Sequence, residues 1–75
     1  MGLLDIGYGN LVSSDRIIAV IYPSSAPAKR FIKSGAAAGK LIDASSGRKT
    51  ESVIITDSDH VILSSLTPKQ LQKDI

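Results

Sequence analysis

Apolar residues in this chain fall in short blocks, and the breaks between blocks are rich in Gly, Pro, Ser and Asp. Such punctuation predicts short elements joined by tight turns. Leu3-Leu4-Asp5-Ile6 predicts a first strand. Gly7-Tyr8-Gly9-Asn10 breaks or bulges it, and Leu11-Val12 can continue it. Ser13-Ser14-Asp15 predicts a turn. Arg16 to Tyr22 is the most strand-like segment, because its β-branched residues suit a pleated surface. Pro23 ends it.

Ser24, Ser25 and Pro27 then predict a helix start. A serine oxygen can accept from free N–H groups at the first turn, where proline lacks no needed donor. The helix pattern places Phe31 and Ile32 inward beside Ala28, with Lys29, Arg30 and Lys33 toward the other side. Gly35 disfavours a helix interior and Gly39 is a natural stop, so the pattern leaves both ends open. Lys40 to Ala44, Glu51 to Thr56 and His60 to Ser65 predict three further strands. Ser45 to Lys49 and Asp57 to Asp59 are the turns between them. Thr67-Pro68 opens a short last helix with Leu71 and Ile75 on one face.

These elements predict an α+β fold in one domain, residues 1–75. The expectation is a small, mostly antiparallel five-stranded sheet, one main helix after strand 2, and a short C-terminal helix. Ile17 to Ile21 is apolar at every position, and Val53-Ile54-Ile55 and Val61-Ile62-Leu63 behave alike. Both faces of such strands need cover. One main helix covers one face and the short helix part of the other. A second copy of the chain is then the expected cover for the rest.

Size sharpens that expectation. A 75-residue chain buries only about 60% of its unfolded surface, and small folds often need a disulfide, a metal or a partner subunit. With no cysteine and one histidine, disulfides and thiolate zinc sites are excluded and a histidine-rich metal site is disfavoured. The 43% hydrophobic and 21% charged composition is that of a globular chain. No apolar run reaches membrane-spanning length, and no leader pattern opens the sequence, so a soluble intracellular protein is expected.

The net charge of +2 hides an asymmetry. Between residues 16 and 49, Arg16, Lys29, Arg30, Lys33, Lys40, Arg48 and Lys49 face the single acid Asp43, a formal charge of +6. The remainder carries −4. A basic middle suits a polyanionic partner, and an ordinary solvated helix face is the competing explanation.

Most candidate chemistry is weak. Gly7-Tyr8-Gly9 lacks the third glycine and the following helix of a dinucleotide fingerprint. Asp57-Ser58-Asp59-His60 offers metal-ligating types but lacks the further ligands that calcium or zinc requires, and its composition suits a tight turn. No nucleophile motif accompanies His60, so no enzyme, cofactor, metal or small-molecule substrate is expected. Arg16 beside a turn, and Arg48-Lys49 after Gly47, are better placed to meet phosphates. Three aromatics give few platforms for stacking unpaired bases, which favours duplex phosphates over single strands.

Six blocks converge on one family: IGYGN at 6–10, SSDRIIAVI at 13–21, SAPAKR at 25–30, KLIDAS at 40–45, GRKT at 47–50 and SDHVILS at 58–64. Together they resemble the small bacterial RemA family of extracellular-matrix regulatory proteins. The resemblance implies a cytoplasmic, nucleoid-associated, double-stranded-DNA-binding transcriptional regulator, linked to biofilm matrix and osmoprotection genes, that forms a homo-oligomeric ring. It implies Arg16, Arg48 and Lys49 as DNA contacts and Pro27 as a position tied to assembly. Lys29, Arg30 and Lys33 are additional candidates for phosphate contacts. The chain departs from the family at Lys49 in place of a second arginine, at Glu51 in place of a usual basic residue, and at the uncharged Gly35 to Gly39 helix end. Lysine lacks the planar fork of arginine, and Glu51 weakens the local field. An RNA-binding ring and a structural oligomer without nucleic acid are the alternative readings.

Overall fold

Strand β5, Ser52–Thr56, is buried at every position, and the rest of the fold is arranged around it. The computed structural model describes residues 2–72. Its elements run β1 (Leu3–Gly7), β2 (Asn10–Ser13), a 3₁₀ turn (Ser14–Arg16), β3 (Ile17–Ile21), α1 (Ala26–Ala37), β4 (Leu41–Asp43), β5, β6 (Val61–Ser64) and α2 (Pro68–Gln72).

The expected single five-stranded sheet is corrected in two respects. Six strands form two sheets, an antiparallel β1–β2 hairpin and a four-stranded sheet in the order β3-β5-β6-β4. The main helix therefore follows the third strand, because Gly7 to Asn10 reverses the chain instead of interrupting one strand. Tyr8 and Gly9 both have positive φ, 56° and 78°, which is the backbone that a two-residue type I′ hairpin loop demands. The irregularity read at Gly7 is also present, as a register shift between Asp5 and Gly7.

Strand β4 departs from the hairpin expectation too. It lies beside β6, in parallel, and not beside β5. Helix α1 carries the chain from β3 on one edge to β4 on the opposite edge, as a crossover must.

Helix α1 begins as its sequence predicts. Ser25 Oγ accepts from the Ala28 N–H at 3.3 Å, and Pro27 lies in the first turn. The helix continues through Gly35 and stops before Gly39, whose φ of 71° suits glycine. Gly35 has a packing reason. A Cβ built there would lie 3.0 Å from Val61 Cγ2 and 3.2 Å from Val61 Cβ, so the missing side chain lets α1 sit directly on β6. Ala28, Ile32 and Gly35 form the helix face on the sheet. Phe31 lies outside that face at 43% exposure, contrary to expectation.

On this side of the sheet, Ala28 packs with Val53, Ile55 and Val61. On the other side, Leu4 and Ile6 of β1 and Leu71 of α2 pack with Ala44, Ile54 and Ile62. Helix α2 thus covers part of the second face as expected, and the β1–β2 hairpin adds cover there that the strand pattern does not predict. Ile75, expected to share the α2 face, lies outside the described residues. Buried serines join the layers. Ser64 Oγ donates to the Ile6 carbonyl at 2.7 Å, and Ser52 Oγ donates to the Leu66 carbonyl at 2.5 Å. Burial in an apolar layer would be costly for either hydroxyl without such an acceptor.

Substituting Gly35→Leu tests the close approach of α1. Leucine gains almost 1 kcal/mol of helix propensity over glycine, yet overpacking against Val61 should still lower the unfolding free energy by about 1–3 kcal/mol in a denaturant titration. A stabilised variant would refute the close contact.

Candidate nucleic-acid interface

The sheet has two ends, and they differ in charge. Strand β5 begins beside Ser64 and ends beside Ile17. One end therefore gathers the Tyr8-Gly9 loop, the 45–51 connection and the start of α1. The other gathers the Ser14–Arg16 turn, the 57–60 turn and the end of α1. A five-residue strand separates them by roughly 17 Å.

Arg48 and Lys49 occupy the first end. The turn that carries them is built by local hydrogen bonds. Asp43 Oδ1 accepts from the Ser45 N–H at 3.0 Å and from Ser45 Oγ at 2.5 Å. Ser46 and Gly47 then take positive φ, 56° and 77°, and the Arg48 N–H donates to the Ser45 carbonyl at 3.1 Å. This is again the geometry of a type I′ turn. It fixes the backbone at Arg48 and leaves both basic side chains outside the body.

The two turns meet. The Arg48 guanidinium lies over the Tyr8 ring, 5.1 Å from its centre. Asn10 Nδ2 donates to the Gly7 carbonyl at 3.0 Å and to the Ala44 carbonyl at 3.4 Å, joining the hairpin to the base of the basic turn. An exposed cation–π contact of this kind contributes about 0.5–1 kcal/mol. Lys49 is freer: its side chain is 87% exposed, and its ammonium is 3.9 Å from Glu51. A surface pair at that distance contributes little and is screened by salt.

Arg16 is elsewhere. It closes the 3₁₀ turn just before β3, and its Nη1 lies 3.1 Å from Asp57 Oδ2. The backbone repeats the connection, since the Asp57 N–H donates to the Arg16 carbonyl at 2.8 Å. Within one chain, then, Arg16 does not share a patch with Arg48 and Lys49, and it already has an anionic partner. Lys40 lies at the same end and donates to the Ser58 carbonyl at 3.4 Å.

Lys29, Arg30 and Lys33 are exposed on α1. Lys29 and Arg30 lie nearer the helix start, which adjoins the basic turn: Tyr22, Ser24, Lys49 and Thr67 border one depression there. Pro27 is exposed and borders a shallow depression with Arg30, Phe31 and Ser34.

The 57–60 segment is a hydrogen-bonded turn. Ser58 Oγ bonds both Thr56 Oγ1, at 3.0 Å, and His60 Nδ1, at 2.7 Å. Among the described residues no three His, Asp or Glu side chains gather as metal ligands. No helix there is long and apolar enough to cross a membrane.

The sequence reading named the cations of this interface but missed the groups that hold them: Tyr8, Asn10 and Asp43. Tyr-Gly between two apolar runs was a usable hairpin signal. Its meeting with Arg48 was not legible, because thirty-nine residues of chain intervene.

Comparison with known proteins supports a regulatory role. The family model described as RemA-like, extracellular matrix regulatory protein A-like, matches residues 3–75. A protein of Geobacillus thermodenitrificans named "Putative regulatory protein" is 58% identical over 69 residues, which cover 92% of this chain and 79% of that relative. A Thermotoga maritima protein of the same name is 53% identical, over 93% of this chain and 76% of the relative.

Asp43 makes the basic turn sensitive to acid. The two hydrogen bonds from Ser45, first from its hydroxyl and then from its N–H, hold the Asp43 carboxyl below its ordinary range. A depressed carboxylate favours the folded turn above the unfolded value of about 3.9, and that preference is lost as pH falls through the lower folded value. A carboxyl-carbon NMR titration should give Asp43 a midpoint below that of a model peptide, and Ser45→Ala should raise it.

Proposed function

We propose that this chain, which belongs to the RemA-like family, is the subunit of an oligomeric regulator that binds duplex DNA through phosphates. The carrying observation is the hydrogen-bonded turn ahead of Arg48 and Lys49, which presents two exposed cations at one end of the sheet with the start of α1 beside it. Phosphate contacts need exposed cations on a fixed backbone, and base readout needs an element that enters a groove. The first is present here. The family description is regulatory, which points away from an enzyme, and a cytoplasmic, nucleoid-associated location follows from this reading.

Multiplicity follows from charge. Arg48, Lys49 and the helix cations supply only a few phosphate neutralisations per chain, and such contacts weaken steeply with salt. Repeating the basic end around an assembly restores affinity through avidity. Arg16 fits the same scheme. It lies too far along β5 to join its own chain's basic turn, so a duplex following several subunits would meet Arg16 separately. Surface for assembly is available. Strands β3 and β4 are the outer strands of their sheet, and they carry the exposed Ile18 and Ile42. Tyr22 and Phe31 are exposed as well. Pro27, on the outer side of α1, belongs to that contact surface in this reading.

A mobility-shift titration on duplex DNA across a salt series tests the proposal. The affinity of the unaltered protein should fall as salt rises. Arg48→Ala should weaken binding and reduce the slope of log K against log salt by about 1 for each subunit engaged. Single-stranded RNA should compete poorly. A salt-independent complex, an unaffected Arg48→Ala variant, or a preference for the RNA would each overturn the reading.

A further inference from the structure

Tyr8 occupies a backbone position that tyrosine does not favour. Its φ is 56°, between Gly7 at 105° and Gly9 at 78°. The first position of a type I′ turn is normally filled by Asn, Asp or Gly, because a larger residue crowds its own backbone in the left-handed region. Nor does burial explain the ring, which is 54% exposed. Asparagine would suit the loop better and give up little packing.

What the ring does touch is Arg48, with the guanidinium 5.1 Å from its centre. The loop is fixed from both sides. The Gly7 N–H donates to Asp5 Oδ1 at 2.8 Å, and Asn10 ties the hairpin to the Ala44 carbonyl. The ring is thus delivered by one rigid turn to a cation carried by another. Residues held in sparsely populated backbone regions concentrate at functional sites, where the surrounding structure supports the strain.

We propose that Tyr8 is the positioning residue of the basic turn: its ring holds the Arg48 guanidinium in the orientation in which it meets a duplex phosphate. This rests on the DNA-binding reading above. An arginine stacked on an aromatic face keeps its N–H edges free for bidentate contact with an anion. Holding it there before binding removes rotamer freedom that would otherwise be lost in the complex. Tyr8 adds no charge, so it acts on the affinity of Arg48 and not on the number of phosphates neutralised.

Tyr8→Asn, Tyr8→Phe and Arg48→Ala, with the double variant Tyr8→Asn/Arg48→Ala, separate these roles in the full chain. Labelling arginine with carbon-13 reads the stack without DNA. The Arg48 δ-methylene signal should be shifted upfield by the ring in the unaltered protein and in Tyr8→Phe, and should return to an ordinary position in Tyr8→Asn. Thermal stability of Tyr8→Asn should be equal or higher, since the turn is relieved. Its duplex affinity should nevertheless fall about two- to fivefold per engaged subunit, with the salt slope unchanged. Tyr8→Phe should bind like the unaltered protein. In the Arg48→Ala background, Tyr8→Asn should cost nothing further.

An unshifted Arg48 signal, full affinity in Tyr8→Asn, or an equal loss with and without Arg48 would overturn the proposal. If even the unaltered protein fails to bind duplex while the Arg48 signal is shifted, the DNA reading falls and takes this role of Tyr8 with it. The intact stack then locates the failure in the choice of ligand.

Discussion

Burial of β5 on both faces is the constraint from which the rest of this fold follows. Its five residues carry three large aliphatic side chains, and neither face can be left to water. A chain of this length has few elements with which to build two covers. It places α1 on one side and the β1–β2 hairpin with α2 on the other. Each cover needs its own adjustment. Helix α1 approaches closely only because Gly35 has no side chain to meet Val61. The hairpin is fastened through Ser64, whose hydroxyl satisfies the Ile6 carbonyl in a layer closed to water.

The candidate interface is a by-product of that second cover. Once Leu4 and Ile6 lie on the sheet, the hairpin loop is carried to the end where the 45–51 connection emerges. Two turns of the same type, each with consecutive positive φ angles, then stand against each other. Core packing and surface chemistry are linked here through one short segment. A change that loosened the hairpin would also release the contact between Tyr8 and Arg48.

Charge is distributed by the same geometry. The basic middle of the sequence does not form one surface, because β5 intervenes between Arg16 and the Arg48-Lys49 turn. The Arg16 end also carries Asp57 and Asp59, which offset its positive charge. At the basic turn, the Asp43 carboxylate is taken up by Ser45, and the Glu51 carboxylate faces Lys49 at a distance where solvent screens the pair. The basic character of the 16–49 segment is thus concentrated at one end of the sheet and along the start of α1.

The sequence by itself determined the local elements. Strand positions followed from apolar and β-branched runs, and both helix starts from Ser or Thr preceding Pro, while the choice between Gly35 and Gly39 as the end of α1 was left to the packing against Val61. It also marked Arg48 and Lys49 as exposed, since a Ser-Gly turn precedes them. Only the tertiary structure decided what pairs with what. The partition into two sheets depended on whether Gly7 to Asn10 bulged or reversed the chain, and that was settled by the apolar face of β1 finding cover on the sheet. The parallel β4–β6 pairing arose because α1 had to span the sheet, and Gly35 became favourable only against Val61. Tyr8 meets Arg48 for the same reason. Local propensity acts over a few residues, whereas burial of β5 joins segments distant in sequence, and only that longer-range free energy could bring them together.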